Sequence, residues 1–240
     1  MENRQMIVIT PVKDSIVSAL ETVKAIASSD MRIPYTYIIY NDFSTDSNTR
    51  ILEEAAAAGG FTLINLSEQT NHPSPNYLLI LQDAQRRALD SGAALCIVES
   101  DVTVRPHTLQ SLFDGALDRP DCGIAAAVTV DEKGQINYPY LYARKETNRV
   151  LSVRRHVSFC CSLLTPAFLQ KYDFMQLDPS KAWHDVTVSH KSLALGFANY
   201  LFTSLPVVHR PHGSRPWKQL KYTNPLRYYW LKFTRRRDRI

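Results

Sequence analysis

Short apolar runs alternate with helical patterns over the first 130 residues, and this alternation leaves few architectures open. The runs are MIVIT within 5–10, closed by Pro11, YTYIIY at 35–40, 61–66, ALCIV at 94–98 and 123–130. Each is short, β-branched or aromatic, and bounded by turn residues, as buried strands are. Between them, Ile16, Leu20, Val23 and Ala27 recur at helical spacing behind Asp14 or Ser15 as cap. Further helices are predicted over 47–58, ended by Gly59-Gly60, over 77–91, stopped by Gly92, and over 108–117. Strands alternating with helices predict βαβ units and a parallel sheet. The polar stretch 131–157, with Tyr138, Tyr140 and Tyr142 alternating, fits no single pattern. Beyond it the sequence predicts a strand at 159–164, a helix from Pro166, a helix over 184–195, short strands at 200–204 and 206–209, and a last helix with Asn224-Pro225 at N-cap and N1.

The chain has 240 residues, 45% hydrophobic and 21% charged, enough for one α/β domain and unlike a disordered chain. No apolar run approaches the ~20 residues of a membrane span, and the N-terminus lacks a signal peptide's apolar stretch. Cys96, Cys122, Cys160 and Cys161 show no CxxC spacing, so the expectation is reduced cytoplasmic thiols, with Cys160 and Cys161 as small packing residues. The charge is divided unevenly. From Arg210 onward ten Lys/Arg face Asp238 alone, a net +9, while residues 1–209 carry 18 basic and 22 acidic residues, a net −4.

Ligands of open α/β sheets bind outside the carboxyl ends of the strands. Here two predicted strands run into acids there: Asn41-Asp42 and Glu99-Ser100-Asp101. Hard carboxylate oxygens suit Mg²⁺ or Mn²⁺, with a diphosphate supplying further oxygens. The same residues could instead cap the following turns and helices.

Taken in order, the motifs resemble the inverting family 2 glycosyltransferases, which have a GT-A fold. The first strand with its proline, YNDFSTDS, Asn76 before the helix holding Ala84 and Ala88, VESDV followed by Arg105-Pro106, WHDVTVSHKSLALGF and VVHRPHGS are similar to that family's segments from about residue 5 to 215. The resemblance implies a mixed α/β sheet flanked by helices, binding a UDP-, GDP- or dTDP-sugar and acting on a glycan or lipid-linked acceptor. It implies that Asp42 contacts the base, with Thr10 and Pro11 lining that pocket. Asp101 is then a metal ligand on the diphosphate, Glu99 lies at the ribose or a metal-bound water, His209 is a late metal ligand, Arg215 is a donor contact, and Asp185 is the general base. Three positions depart from the pattern: Asn41 stands for the first acid of the pair, Glu99 for an Asp, and His184 for the Glu before the base. With these departures, an inactive nucleotide-sugar binder is a further reading.

The predicted helix from Asn224 puts Leu226, Tyr229, Trp230 and Phe233 on one face, with Arg227, Lys232 and Arg235–Arg237 around and after it. Such a helix can dock on an anionic membrane, here the inner face of the cytoplasmic membrane, or pack on the domain. The expected division is therefore a catalytic domain over 1–215 and a basic, aromatic tail over 216–240. The rival function, nucleic-acid binding through that tail, lacks any RRM, KH or zinc-finger pattern, so no nucleic-acid partner is expected. A sugar-phosphate nucleotidylyltransferase would need a Gly-rich first loop, and TPVKDS has no Gly.

Overall fold

A computed structural model describes residues 4–181, 183–210 and 224–234. Four parallel strands form its first half: β1 (Met6–Val12), β2 (Tyr35–Asn41), β3 (Thr62–Asn65) and β4 (Ala94–Val98). The second half adds β5 (Val102–Thr103), β6 (Cys122–Val130), β7 (Val150–Ser152), β8 (Cys161–Leu164) and β9 (Ala198–His209). The sheet order is β3-β2-β1-β4-β8-β6-β9-β5, with β7 on β9. Only β8 is reversed within the central block: it is antiparallel to both β4 and β6, while β6 and β9 are parallel to each other. The carboxyl ends of β1, β2, β4, β6 and β9 therefore share one edge with the start of β8.

Both sheet faces are covered, which explains why the strands read as unbroken apolar runs. Met6 and Val8 pack with α1 (Ile16–Ala27), α2 (Asp46–Ala57) and α4 (Thr108–Leu117). Ile7 and Ile9 pack with α3 (Tyr77–Ser91), α5 (Pro166–Lys171) and α6 (His184–Ala194). The mixed α/β sheet flanked by helices matches the expected class.

Several boundaries differ from the sequence reading. β1 continues through Pro11 to Val12, because its pairing with β4 ends at Ile9 and a residue without N–H is tolerated where only β2 remains alongside. The two predicted terminal strands are one strand, β9. Its register against β6 jumps between Ala127–Phe202 and Val128–Pro206, and the displaced Thr203 exchanges hydrogen bonds with Arg149 before β7. The two-residue β5 and three-residue β7 are too short for periodicity to reveal. The last helix, α7 (Pro225–Thr234), starts as expected: Arg227 N–H donates to Asn224 Oδ1 at 3.1 Å.

Gly123 at the foot of β6 fixes how α6 lies. A Cβ there would stand 2.2 Å from Ser192 Oγ of α6 and 2.8 Å from Phe197 Cβ. Gly123→Ala should push α6 outward and destabilise the protein by about 1–3 kcal/mol, the range for overpacking, measurable as a fall in the urea midpoint at constant m-value.

Candidate active site at the carboxyl edge of the sheet

Glu99 and Asp101 follow β4, His209 ends β9 and Cys160 immediately precedes β8, so the topology brings all four to one place. Glu99 N–H donates to Cys160 O at 3.0 Å, and Arg210 N–H donates to Asp101 O at 3.0 Å, locking the segments together. His209 Nε2 lies 3.6 Å from Asp101 Oδ2 and 3.9 Å from Cys160 Sγ. Cys160 Sγ lies 3.6 Å from Glu99 Oε2. Asp101, Cys160 and His209 are buried and Glu99 is half-buried.

The His209 ring is oriented from behind. Its Nδ1 is 3.1 Å from Tyr138 O. A carbonyl can only accept, so the ring donates there and turns Nε2 toward the carboxylates. The Tyr138 carbonyl also accepts from Thr129 Oγ1, and Asn137 Nδ2 donates to His209 O. The stretch 131–157, unreadable by periodicity, thus serves to hold His209. Tyr140 fixes its far end: this buried hydroxyl accepts from Ser158 N–H at 2.9 Å and donates to Ser158 O.

Burial and the neighbouring Asp101 carboxylate push Glu99 up to about 7; His209 opposes the shift and Asp185 adds to it. Burial by itself would lower the His209 pKa, but the Asp101 and Glu99 carboxylates outweigh it and hold it above the usual value. The Cys160 thiol is driven well above its usual range by burial and by Glu99. Excess negative charge and an imidazole nitrogen converging in a partly buried recess form a setting that a divalent cation would relieve. Glu99, Cys160 and His209 can present ligand atoms all within 4.8 Å of one another, so the residues fit a metal ion.

Asp185 stands in the first turn of α6, where Val186 N–H donates to its Oδ1 at 2.9 Å. Its charge contributes to the upward shifts of Glu99, Cys160 and Tyr140, behind burial. His184, where the family pattern has Glu, is buried; its ring lies parallel to Tyr77 at 6.3 Å, and desolvation lowers its pKa. It packs α6 against the start of α3.

Asp42 is buried and already engaged. Its carboxylate accepts from Ser74 Oγ at 2.7 Å, Asn76 N–H at 2.9 Å and Asn76 Nδ2 at 2.8 Å. It thereby holds the 72–76 loop and the N-cap of α3, rather than the turn or helix that follows it in sequence. Asn41 does what an acid could not: its Nδ2 donates to Thr49 Oγ1 and Asn65 Oδ1, both at 2.9 Å. Thr10 is fully buried and its hydroxyl accepts from Tyr37 OH at 2.9 Å. Pro11 is partly exposed. Between the N-terminal turn of α1 and Arg210 lies an open cleft of about 510 Å³ lined by Asp14, Ser18, Glu21 and Glu132. Arg215 and residues 216–223 lie outside the described residues. Cys160 and Cys161 are both buried in the hydrophobic core, as the sequence suggests for small packing residues, with Cys161 on β8 against Cys96; the Cys160 sulfur in addition lies beside Glu99 and His209. The adjacent pair gave no signal of that difference, because it depends on β8 running backwards.

The family model for glycosyl transferase family 2 matches residues 7–172. The chain belongs to the family 2 glycosyltransferases. The match covers the β1, β2 and β4 strand ends but stops before Asp185 and His209. A search of curated proteins gave no match. Among solved structures, the fold is similar to a mannosyltransferase of Pyrobaculum calidifontis in complex with GDP-Man and Mn²⁺ (TM-score 0.65, 13% identity, 95% of this chain and 64% of that one). It is similar to S. aureus TarS in complex with UDP-GlcNAc (TM-score 0.63, 18% identity, 87% and 59%). It is also similar to GalNAc-T7 with UDP, GalNAc and Mn²⁺ (TM-score 0.63, 12% identity, 85% and 43%). The chain thus spans less than two-thirds of these proteins' lengths, and the glycosyltransferase likeness at such identities is one of fold.

Glu99 sets a pH dependence. Its folded pKa lies above its ordinary value, so its contribution to stability is complete below pH 4.5 and is lost as pH rises toward about 7; the raised His209 acts in the same sense. In chelator, Tm should fall from pH 5 to 8, and Glu99→Gln should flatten that slope in thermal melts.

Proposed function

We propose that the chain is a metal-dependent inverting glycosyltransferase that moves a sugar from a nucleotide-diphosphate donor to a hydroxyl of a glycan or lipid-linked acceptor. The observation that carries this reading is the cluster of Glu99, Asp101 and His209 at the carboxyl edge of the sheet, with His209 Nε2 3.6 Å from Asp101 Oδ2, in a chain that belongs to family 2. Direct displacement needs a base as well as a cation-holding cluster, and Asp185 in the first turn of α6 is assigned that part. Asp185 takes the proton from the acceptor hydroxyl as it attacks the anomeric carbon, and a single displacement inverts that centre. Asp101 and His209 would hold Mn²⁺ or Mg²⁺ with Glu99 beside it; when bound, the ion neutralises the departing diphosphate. Cys160 is no candidate nucleophile, since burial and Glu99 keep its thiol protonated.

At the nucleoside end, Asp42 accepts three hydrogen bonds of the roughly four a carboxylate can take, which leaves room for a base N–H. Thr10 contributes by its place under Pro11, its hydroxyl being engaged by Tyr37. Arg215 remains a proposed donor contact from the segment that follows His209. The donor is a UDP-, GDP- or dTDP-sugar.

With Mn²⁺ or Mg²⁺ and a panel of these donors, nucleoside diphosphate release should be detected with at least one. Asp185→Asn should cut transfer by about 10²–10⁴-fold while nucleotide affinity, measured calorimetrically, stays within threefold or so of the parent. Failure of every donor to bind or turn over would overturn the assignment.

No helix among the described residues is long and apolar enough to cross a membrane. Helix α7 instead exposes Leu226 at 86%, Trp230 at 61% and Phe233 at 76%, with Tyr229 beside them and Tyr228 buried. This face, within a tail of net +9, supports peripheral docking on an anionic bilayer at the cytoplasmic face, each basic residue near the surface adding roughly 1 kcal/mol. Sedimentation with anionic liposomes should be strong at low salt and weak for a Leu226→Ser/Trp230→Ser/Phe233→Ser variant; equal sedimentation of both would exclude α7 as the anchor.

A further inference from the structure

Cys160 gives this recess a chemistry that carboxylates and imidazole alone do not have. Its sulfur is buried, 3.6 Å from Glu99 Oε2 and 3.9 Å from His209 Nε2, and His209 Nε2 is 3.6 Å from Asp101 Oδ2. A tetrahedral ion with metal–sulfur bonds near 2.3 Å and metal–nitrogen and metal–oxygen bonds near 2.0 Å separates its ligand atoms by about 3.5 Å for sulfur pairs and about 3.3 Å for nitrogen–oxygen. The two observed sulfur separations are within a few tenths of an ångström of the sulfur edge, and the Glu99 oxygen and His209 nitrogen lie within 4.8 Å of one another. An octahedral Mg²⁺ or Mn²⁺ site has no use for a thiol, whereas thiolate and imidazole select softer ions. The second observation is the His209 ring itself: the Tyr138 carbonyl holds its Nδ1–H and fixes Nε2 as the atom facing sulfur, the backing that ligating histidines ordinarily have.

We propose that Cys160 makes this cluster a site for a thiophilic divalent cation, with Zn²⁺ the abundant example, held by Cys160 Sγ, His209 Nε2 and a Glu99 carboxylate oxygen. On binding, the thiol releases its proton to solvent and the sulfur–metal bond forms; no oxidation state changes. Three protein ligands leave the fourth tetrahedral position to solvent. Because it occupies His209 Nε2, the thiophilic ion competes with the Mn²⁺ or Mg²⁺ that the donor reaction uses, and Cys160 is the residue that sets which ion wins. The inference rests on the functional reading above in placing both ions at the same histidine.

Co²⁺ titration of the full chain, followed by absorbance, tests it without reference to turnover. The expected spectrum has a thiolate-to-cobalt charge-transfer band in the near ultraviolet and intense tetrahedral visible bands, all removed by stoichiometric Zn²⁺. Cys160→Ser and Cys160→Ala should each lose the charge-transfer band and weaken Zn²⁺ at least tenfold in chelator competition. Cys122→Ser, a buried thiol at the far end of β6, should keep both. A parent spectrum with only weak octahedral bands, or equal Zn²⁺ affinity in the parent and both Cys160 variants, would overturn the proposal. Since the parent spectrum needs no variant, a misfolded substitution cannot hide the result. Donor turnover with Mn²⁺ is scored separately, so failure of the zinc site and failure of the glycosyltransferase reading are distinct outcomes.

Discussion

Two carboxylates, Asp101 buried and Glu99 half-buried, stand together at the carboxyl edge of the sheet, and the surrounding structure is arranged around that electrostatic strain. Glu99 and Asp101 stand in a recess where charge is poorly solvated, with Asp185 adding a third negative group from α6. A lone carboxylate there would be neutralised by protonation. The His209 imidazole offsets part of the charge, and its ring depends on Tyr138, which in turn depends on the segment anchored by Asn137 and Tyr140. A long polar loop on the sequence is thus the support of one histidine.

The sheet's direction changes decide what enters that recess. Of the four parallel strands, β2 and β4 run into acids, and parallel βαβ pairing puts both ends on one edge. Reversing β8 brings the start of a strand to the same edge and with it a thiol. The missing side chain at Gly123 allows α6 to settle against β6. Site geometry here follows from packing decisions made well away from the chemistry.

Much of this was readable beforehand. The strands β1, β2 and β4 and the helices α3 and α4 appear within a residue or two of their predicted bounds, Pro11 at the end of β1 excepted, because each has a full period of apolar residues and a terminating Gly, Pro or polar cap. The acids at 42, 99 and 101, Asp185 and His209 are singled out from motifs, and the fold brings Glu99, Asp101 and His209 to one edge. Less readable were β5 and β7, which are too short to show a period. The unity of β9 was hidden by the three residues that bulge out of register at 203–205. The role of Asn41 was equally hidden, since a departure from a motif becomes intelligible only when its partners, Thr49 and Asn65, are known.

By itself the sequence determined the α/β class, the family and the identity of the acidic strand ends, because apolar period and strand-end chemistry are local properties of the chain. Tertiary structure alone decided that Cys160 rather than Cys161 faces the carboxylates, that His209 presents Nε2, and that Asp42 is already bound to the 72–76 loop. Each of these depends on contacts between residues roughly 30 to 70 positions apart, and no periodicity or spacing along the chain encodes which distant backbone carbonyl or side chain a residue will meet.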